Sequence, residues 1–209
     1  MKKCLYGALA TVAIAATGAT LYIASGAFDI AADSPHSAPV FKLLTITRDR
    51  AIDSRAAAVT LPTDLANPER IRKGSGNYDE MCADCHLKPG KTDSEIRKGL
   101  YPTPPDLTKT DVARAANIEL NSKRQFWVIK HGIKASGMSA WGKGGMDDAG
   151  IWDIVAFLQK MPTLSEEGYK TIVAASDGHS HAGADHHDNA DGHAHDAPPA
   201  PLEHGDHAH

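Results

Sequence analysis

Five consecutive residues of this 209-residue chain, Cys82-Ala83-Asp84-Cys85-His86, have the types and spacing for a specific piece of chemistry. Two cysteines separated by two residues, with histidine directly after the second, form the attachment signature of a c-type haem. Each thiol can add across a vinyl group to give a thioether. The spacing sets both sulfurs on one helical turn, and His86 then lies under the iron as proximal ligand. A thioredoxin-like dithiol would sit in a strand–helix context, and a zinc ribbon would need a second cysteine pair. Neither is present, because the only other cysteine is Cys4.

A second group of ligand-type residues lies at the other end. Nine of the twelve histidines are His179, His181, His186, His187, His193, His195, His204, His207 and His209, interleaved with Asp, Gly, Ala and Pro. Imidazoles with nearby carboxylates suit copper(II), zinc or nickel. The same composition would also serve as a soluble spacer whose charge reverses as the imidazoles protonate. So polar a segment cannot bury enough surface to fold, and residues 165–209 are expected to be disordered. The net charge of -4 averages unlike parts: from Thr171 to His209 there are seven acidic residues and no Lys or Arg. The body before it is modestly basic.

The elements that must position the first group can be traced along the chain. Lys2 and Lys3 precede an apolar run from Cys4 to Phe28, long enough to span a bilayer. The two lysines predict a cytoplasmic N-terminus and export of the rest. A cleaved signal peptide is the competing reading, with small residues at Ser25-Gly26-Ala27. From Ser34 to Thr60, Val40, Phe41, Leu44, Ala51 and Ile52 recur at roughly helical intervals opposite Lys42, Arg48, Arg50 and Arg55. That pattern predicts an amphipathic helix near the membrane or packed on the haem domain. Asn67-Pro68-Glu69 is a helix start, with Asn as cap, Pro first and Glu in the first turn. The helix would carry Gly74, Tyr78 and Cys82 on one face, four residues apart.

After His86, Lys88-Pro89-Gly90 turns the chain, and Asp93 to Leu100 can form a short helix. Tyr101-Pro102-Thr103-Pro104-Pro105 is a rigid extended loop, able to offer a carbonyl to the free N–H of His86. Asn121 to Gly132 is a further helix. Gly137-Met138 sits in a glycine-bounded loop, and Asp147 or Asp148 caps a last helix with Ile151, Trp152, Ile154, Val155, Phe157 and Leu158 as its apolar face. No stretch alternates with a period of two, so the domain is expected to be all-α.

Together these motifs resemble a class I monohaem c-type cytochrome over about Asn67 to Leu164. The resemblance rests on Gly74-x-x-x-Tyr78-x-x-x-Cys82-x-x-Cys85-His86, the proline-rich loop, Gly137-Met138 and the closing aromatic helix. It implies first and last helices that cross near the haem, with Gly74 and Tyr78 matching one side and Trp152 and Phe157 the other. It also implies a methionine as sixth iron ligand, well downstream of the histidine. Met138 and Met146 are the methionines in position, and Met138 matches the family's loop; His131 is an alternative ligand. Thioether attachment in this family takes place outside the bacterial cytoplasm, which agrees with an exported chain.

The expectation is therefore an all-α protein: a class I cytochrome c fold around one covalent haem, an N-terminal transmembrane helix and a disordered C-terminal tail. Its parts would be 1–30 (anchor or signal), 31–66 (juxtamembrane helix and connector), 67–164 (haem domain) and 165–209 (tail). Met/His ligation leaves the iron no open position, so a one-electron carrier rather than a haem enzyme is expected. Redox proteins and the bacterial inner membrane would be its partners, with the haem domain in the periplasm and no nucleic acid. Lys88, Lys130, Lys134 and Lys143 could steer an acidic redox partner or simply face solvent. The alternative is a metal-handling protein in which the tail captures copper, zinc or nickel and the haem assists.

Overall fold

A computed structural model describes residues 2–111 and 115–178, all in helices, turns and loops. Among the described residues there is no strand, as the missing two-residue periodicity predicts. The helices are α1 (Lys2–Ala24), α2 (Ala38–Ala56), α3 (Pro68–Met81), α4 (Ala83–His86), α5 (Glu95–Gly99), α6 (Ile118–His131), α7 (Asp148–Lys160) and α8 (Glu166–Ala174), with a 3-10 turn at Met161–Thr163.

α3 and α7 form the frame of the domain. α3 starts where the sequence predicts: the Asn67 side chain accepts from the Glu69 N–H at 2.9 Å, and Pro68 takes the first helical position. α7 starts at Asp147, whose carboxylate accepts from the Gly150 N–H at 2.8 Å. The two helices cross at Gly74, where a Cβ would overlap the Asp153 carbonyl of α7. One turn away Arg70 closes on Asp153 at 2.7 Å, and burial pushes the Asp153 carboxyl up even though Arg70 pulls it down. Beyond the crossing the Tyr78 and Phe157 rings meet at 5.5 Å. Ile151, Ile154, Val155, Phe157 and Met161 complete a core from which water is excluded.

α6 lies against α7, with Phe126 stacked on Trp152 at 4.3 Å. On its other side α6 receives α2. Arg124 of α6, 7% exposed, binds Asp49 at 2.8 Å and also pairs with Asp53, while Ile52 and Ala56 are buried beside it. Thus α2 packs on the domain through its C-terminal half. The apolar residues assigned to its packing face fall differently: Val40, Phe41 and Leu44 are exposed. Helical intervals define a stripe, but a 19-residue helix can bury one half of a stripe and leave the other in the open.

The expected disordered tail from residue 165 is corrected at its start. Ser165 caps α8 by accepting from the Gly168 N–H at 3.1 Å, and Glu166 and Glu167 fill its first turn. Tyr169 is buried against Phe157 and donates to Asp79 at 2.8 Å. Arg72 of α3 reaches past α8 to the Ala175 carbonyl at 2.7 Å and to Asp177 at 2.8 Å. α8 folds because three apolar residues, Tyr169, Ile172 and Val173, share one face at steps of three and four. The nine tail histidines lie outside the described residues.

α1 has 23 residues, a mean hydropathy of 1.6 in its most apolar window and no buried residue. At about 1.5 Å per residue it reaches roughly 35 Å, enough to cross the hydrocarbon core of a bilayer.

The α3–α7 contact gives a direct test. Gly74→Ala places a methyl group against main chain that cannot move aside, and is expected to cost about 3 kcal/mol in chemical denaturation. Gly99→Ala, where an added Cβ meets nothing within 4 Å, is expected to stay within about 0.5 kcal/mol of the parent.

Candidate functional site

The α3 helix ends at Met81, and Cys82 then caps the one-turn helix α4, which carries Cys85 and His86. Its backbone bonds run from the Cys85 N–H to the Cys82 carbonyl at 3.1 Å and from the His86 N–H to the same carbonyl at 2.8 Å. Cys82 is buried among Tyr78, Ala83 and the α7 side chains, whereas Cys85 is partly open. Both thiols are free. Burial, with Cys85 beside it, pushes the Cys82 thiol up to about 12, and burial also raises Cys85. A nucleophilic dithiol needs the opposite shift, so the environment disfavours redox-dithiol chemistry.

His86 turns its Nδ1 to the Pro105 carbonyl at 2.9 Å. A carbonyl can only accept, so Nδ1 carries the proton and Nε2 keeps its lone pair for a metal. The sequence leaves open which carbonyl of the proline-rich loop would face His86; the structure places Pro105 there. Burial disfavours the imidazolium and lowers the His86 pKa despite this bond. The loop is held in turn by the Leu107 N–H donating to the His86 carbonyl at 3.1 Å and by Arg97 Nε donating to the Pro104 carbonyl at 3.2 Å. Ser94 caps α5 and also donates to the Asp84 carbonyl, binding α5 to the cysteine turn.

The residue after the motif is held in an unusual conformation. Leu87 has φ 68° and ψ 170°, a region used almost only by glycine and costing about 1–3 kcal/mol. Three interactions hold it there. Its side chain is 1% exposed, its N–H donates to the Ala83 carbonyl at 2.9 Å, and its carbonyl accepts from the Tyr78 hydroxyl at 2.7 Å. Burial raises the Tyr78 pKa, so the hydroxyl stays protonated and donates. Tyr78 therefore joins the α3–α7 frame to the exit of the cysteine turn.

Met138 stands in the loop after α6 and packs, partly buried, against the edge of the core. Its N–H donates to Ser136 Oγ at 3.2 Å and its carbonyl accepts from the Ile133 N–H at 3.1 Å. Gly137 lies against Leu100, on the chain that leads into the proline-rich loop. Met146 is instead a core residue, 3% exposed. His131 is exposed with its ring 4.9 Å from that of Trp127. Among the described residues no cluster of three Cys, His, Asp or Glu could hold a bare metal ion.

The cysteine turn fits a haem: two free thiols on one turn and an imidazole with Nδ1 tied back. Residues 69–158 match the family model described as cytochrome c oxidase, cbb3-type, subunit III. Over this stretch the chain has a c-type cytochrome domain. No curated protein and no solved structure matches the chain. The match begins inside α3 and ends inside α7, so it spans the cysteine turn, the proline-rich loop and the Met138 loop. α2 and α8 flank it as additions to the cytochrome domain.

Of the four lysines expected near the haem edge, two are engaged. Lys88 binds Asp79 at 2.7 Å and Lys130 binds Asp148 at 2.6 Å. Lys134 is exposed, and neither it nor Lys143 forms an ion pair among the described residues. The residues that sequence reasoning missed are Tyr169 and Asp79, which tie α8 to α3, the helix that leads into the first cysteine.

Tyr78→Phe is expected to attach haem normally and to lose about 1–2 kcal/mol in urea denaturation with an unchanged slope, since the Leu87 carbonyl is left buried without its donor.

Proposed function

We propose that the chain is a membrane-anchored, periplasmic one-electron carrier whose haem is bound through Cys82 and Cys85 and ligated by His86 and Met138. The observation that carries this reading is the His86 Nδ1 contact with Pro105 at 2.9 Å. It fixes the tautomer and aim of a ligand histidine, which a surface or core histidine has no need of. Bound haem supplies a one-electron change at its iron. The protein's own groups do the rest: Cys82 and Cys85 fix the position, and Pro105 keeps the His86 ring from turning. The Met138 thioether favours the reduced state, as do the apolar walls around Cys82. Held by both His86 and Met138, a haem would have no open place for a substrate, which is why the proposal is a carrier rather than an enzyme. α1 supports anchoring, and its two flanking lysines support a cytoplasmic N-terminus. Donor and acceptor would be redox proteins, and the family description makes a terminal oxidase complex a reasonable acceptor.

A second reading is favoured by one observation, the nine histidines between His179 and His209. Here the tail binds copper, zinc or nickel and the haem assists; on either reading α8 moves the proposed boundaries to 1–30, 31–66, 67–178 and 179–209.

One experiment tests the proposed ligand and a second separates the two readings. Met138→Ala is expected to abolish the weak red band of the methionine–ferric bond and to lower the reduction potential by on the order of 100 mV, within the roughly 0.8 V that axial ligands command. Met146→Leu should leave both unchanged. For the tail, the potential is titrated with and without copper or zinc on the full chain and on a chain ending at Gly178. That end point keeps α8 and the Arg72–Asp177 pair intact. The carrier reading expects equal potentials in all four titrations; a metal-dependent shift confined to the full chain would establish coupling between tail and haem.

A further inference from the structure

The N-terminal half of α2 touches the fold through Phe41 on Tyr101 and otherwise stands open to water. Val40, Phe41, Leu43, Leu44 and Ile46 are all 42–66% exposed, although the C-terminal half of the same helix is pinned to α6. Five large apolar side chains open to water within seven residues form a patch of the kind that marks an interaction site. Leu43, Ile46 and Arg50 follow at steps of three and four, so the apolar stripe runs directly into a basic residue. Lys42 and Arg55 are exposed on the same helix as well. Apolar residues with cations beside them match a lipid surface, where the former enter the acyl boundary and the latter meet anionic headgroups.

The linker says which surface is within reach. α1 ends at Ala24, and four residues later the Phe28 ring meets that of His36 at 6.3 Å. His36 packs edge-on against Tyr101 at 5.4 Å, and its N–H donates to the Tyr101 hydroxyl at 3.1 Å. Phe41 of α2 reaches the same tyrosine at 6.3 Å. The segment between α1 and α2 is thus folded back on itself and fastened to the domain. The start of α2 is held close to the end of the membrane-length helix.

We propose that the exposed half of α2 lies in the headgroup layer of the membrane that α1 crosses, a second attachment that binds anionic phospholipid and fixes the attitude of the cytochrome domain. This rests on the reading of α1 as a membrane anchor. Because the linker contacts Tyr101, at the head of the loop that ends in Pro105, the attachment bears on the element that orients His86.

The test uses the full haem-loaded chain with Cys4→Ser, reduced, at one chain per nanodisc, so that no second copy can cover the patch. A nitroxide is placed at Leu43→Cys or, as control, at Glu167→Cys on the exposed face of α8. Power saturation then compares collision with membrane-soluble oxygen and with a water-soluble nickel chelate. In discs containing anionic phospholipid, the oxygen-to-nickel ratio at position 43 is expected to exceed that at 167 several-fold. The excess should fall by at least half in discs of neutral lipid or with Arg50→Glu and Arg55→Glu together. Equal ratios at the two positions, in chains that remain on the discs, would overturn the α2 attachment and leave the anchor standing. Chains that leave the discs would overturn both.

Discussion

Two helix backbones touch at Gly74, and the rest of the domain hangs on that contact. With no side chain between them, α3 and α7 approach closely enough for Tyr78 to meet Phe157 and for Arg70 to close on Asp153. From this crossing α3 has one continuation, into the turn that carries Cys82 and Cys85. The strained backbone at Leu87 is then held from the same frame. Its cost of about 1–3 kcal/mol is comparable to what burying a leucine side chain returns, about 1.5–3 kcal/mol, with the Tyr78 hydrogen bond in addition. The cysteine turn is therefore fixed at both ends before any cofactor chemistry is considered.

A second layer acts on His86. The imidazole is aimed by Pro105, the loop bearing Pro105 is clasped by Leu107 and Arg97, and the head of that loop is touched by the linker from α1 through His36 and Tyr101. A chain of contacts thus runs from the segment after α1 to the histidine. On the other side, Asp79 collects Lys88 and Tyr169 and so fastens α8 to the back of α3. Both outer helices lie outside the part of the chain that matches the cytochrome family, and both brace the helices that present the site.

The sequence carried local information well. Asn67 was readable as a cap, and Asp147 as one of two candidates with Asp148, because capping depends on side chains within three residues of the helix start. The cysteine turn and the four-residue spacing of Gly74, Tyr78 and Cys82 were readable for the same reason. What depends on distant partners was not. Nothing near Arg124 indicates that it will be buried under α2 against Asp49 and Asp53, and nothing within the proline-rich loop singles out Pro105 over Pro104. α8 was hidden by its neighbourhood: a nine-residue helix bordering a histidine-rich segment shares that segment's average polarity. Its signal was nevertheless there, in Ser165 three residues before Gly168, two glutamates in the first turn and the Tyr169-Ile172-Val173 face.

On the proposed function, this frame holds a haem covalently at Cys82 and Cys85. The most direct measurement is the mass of the tryptic peptide Gly74–Lys91 from chain matured in the periplasm. It contains both cysteines, and Lys88 is shielded from cleavage by Pro89. The expected result is one haem per peptide, joined through two thioethers, with no thiol left to alkylate. An unmodified peptide bearing two alkylatable thiols would contradict it.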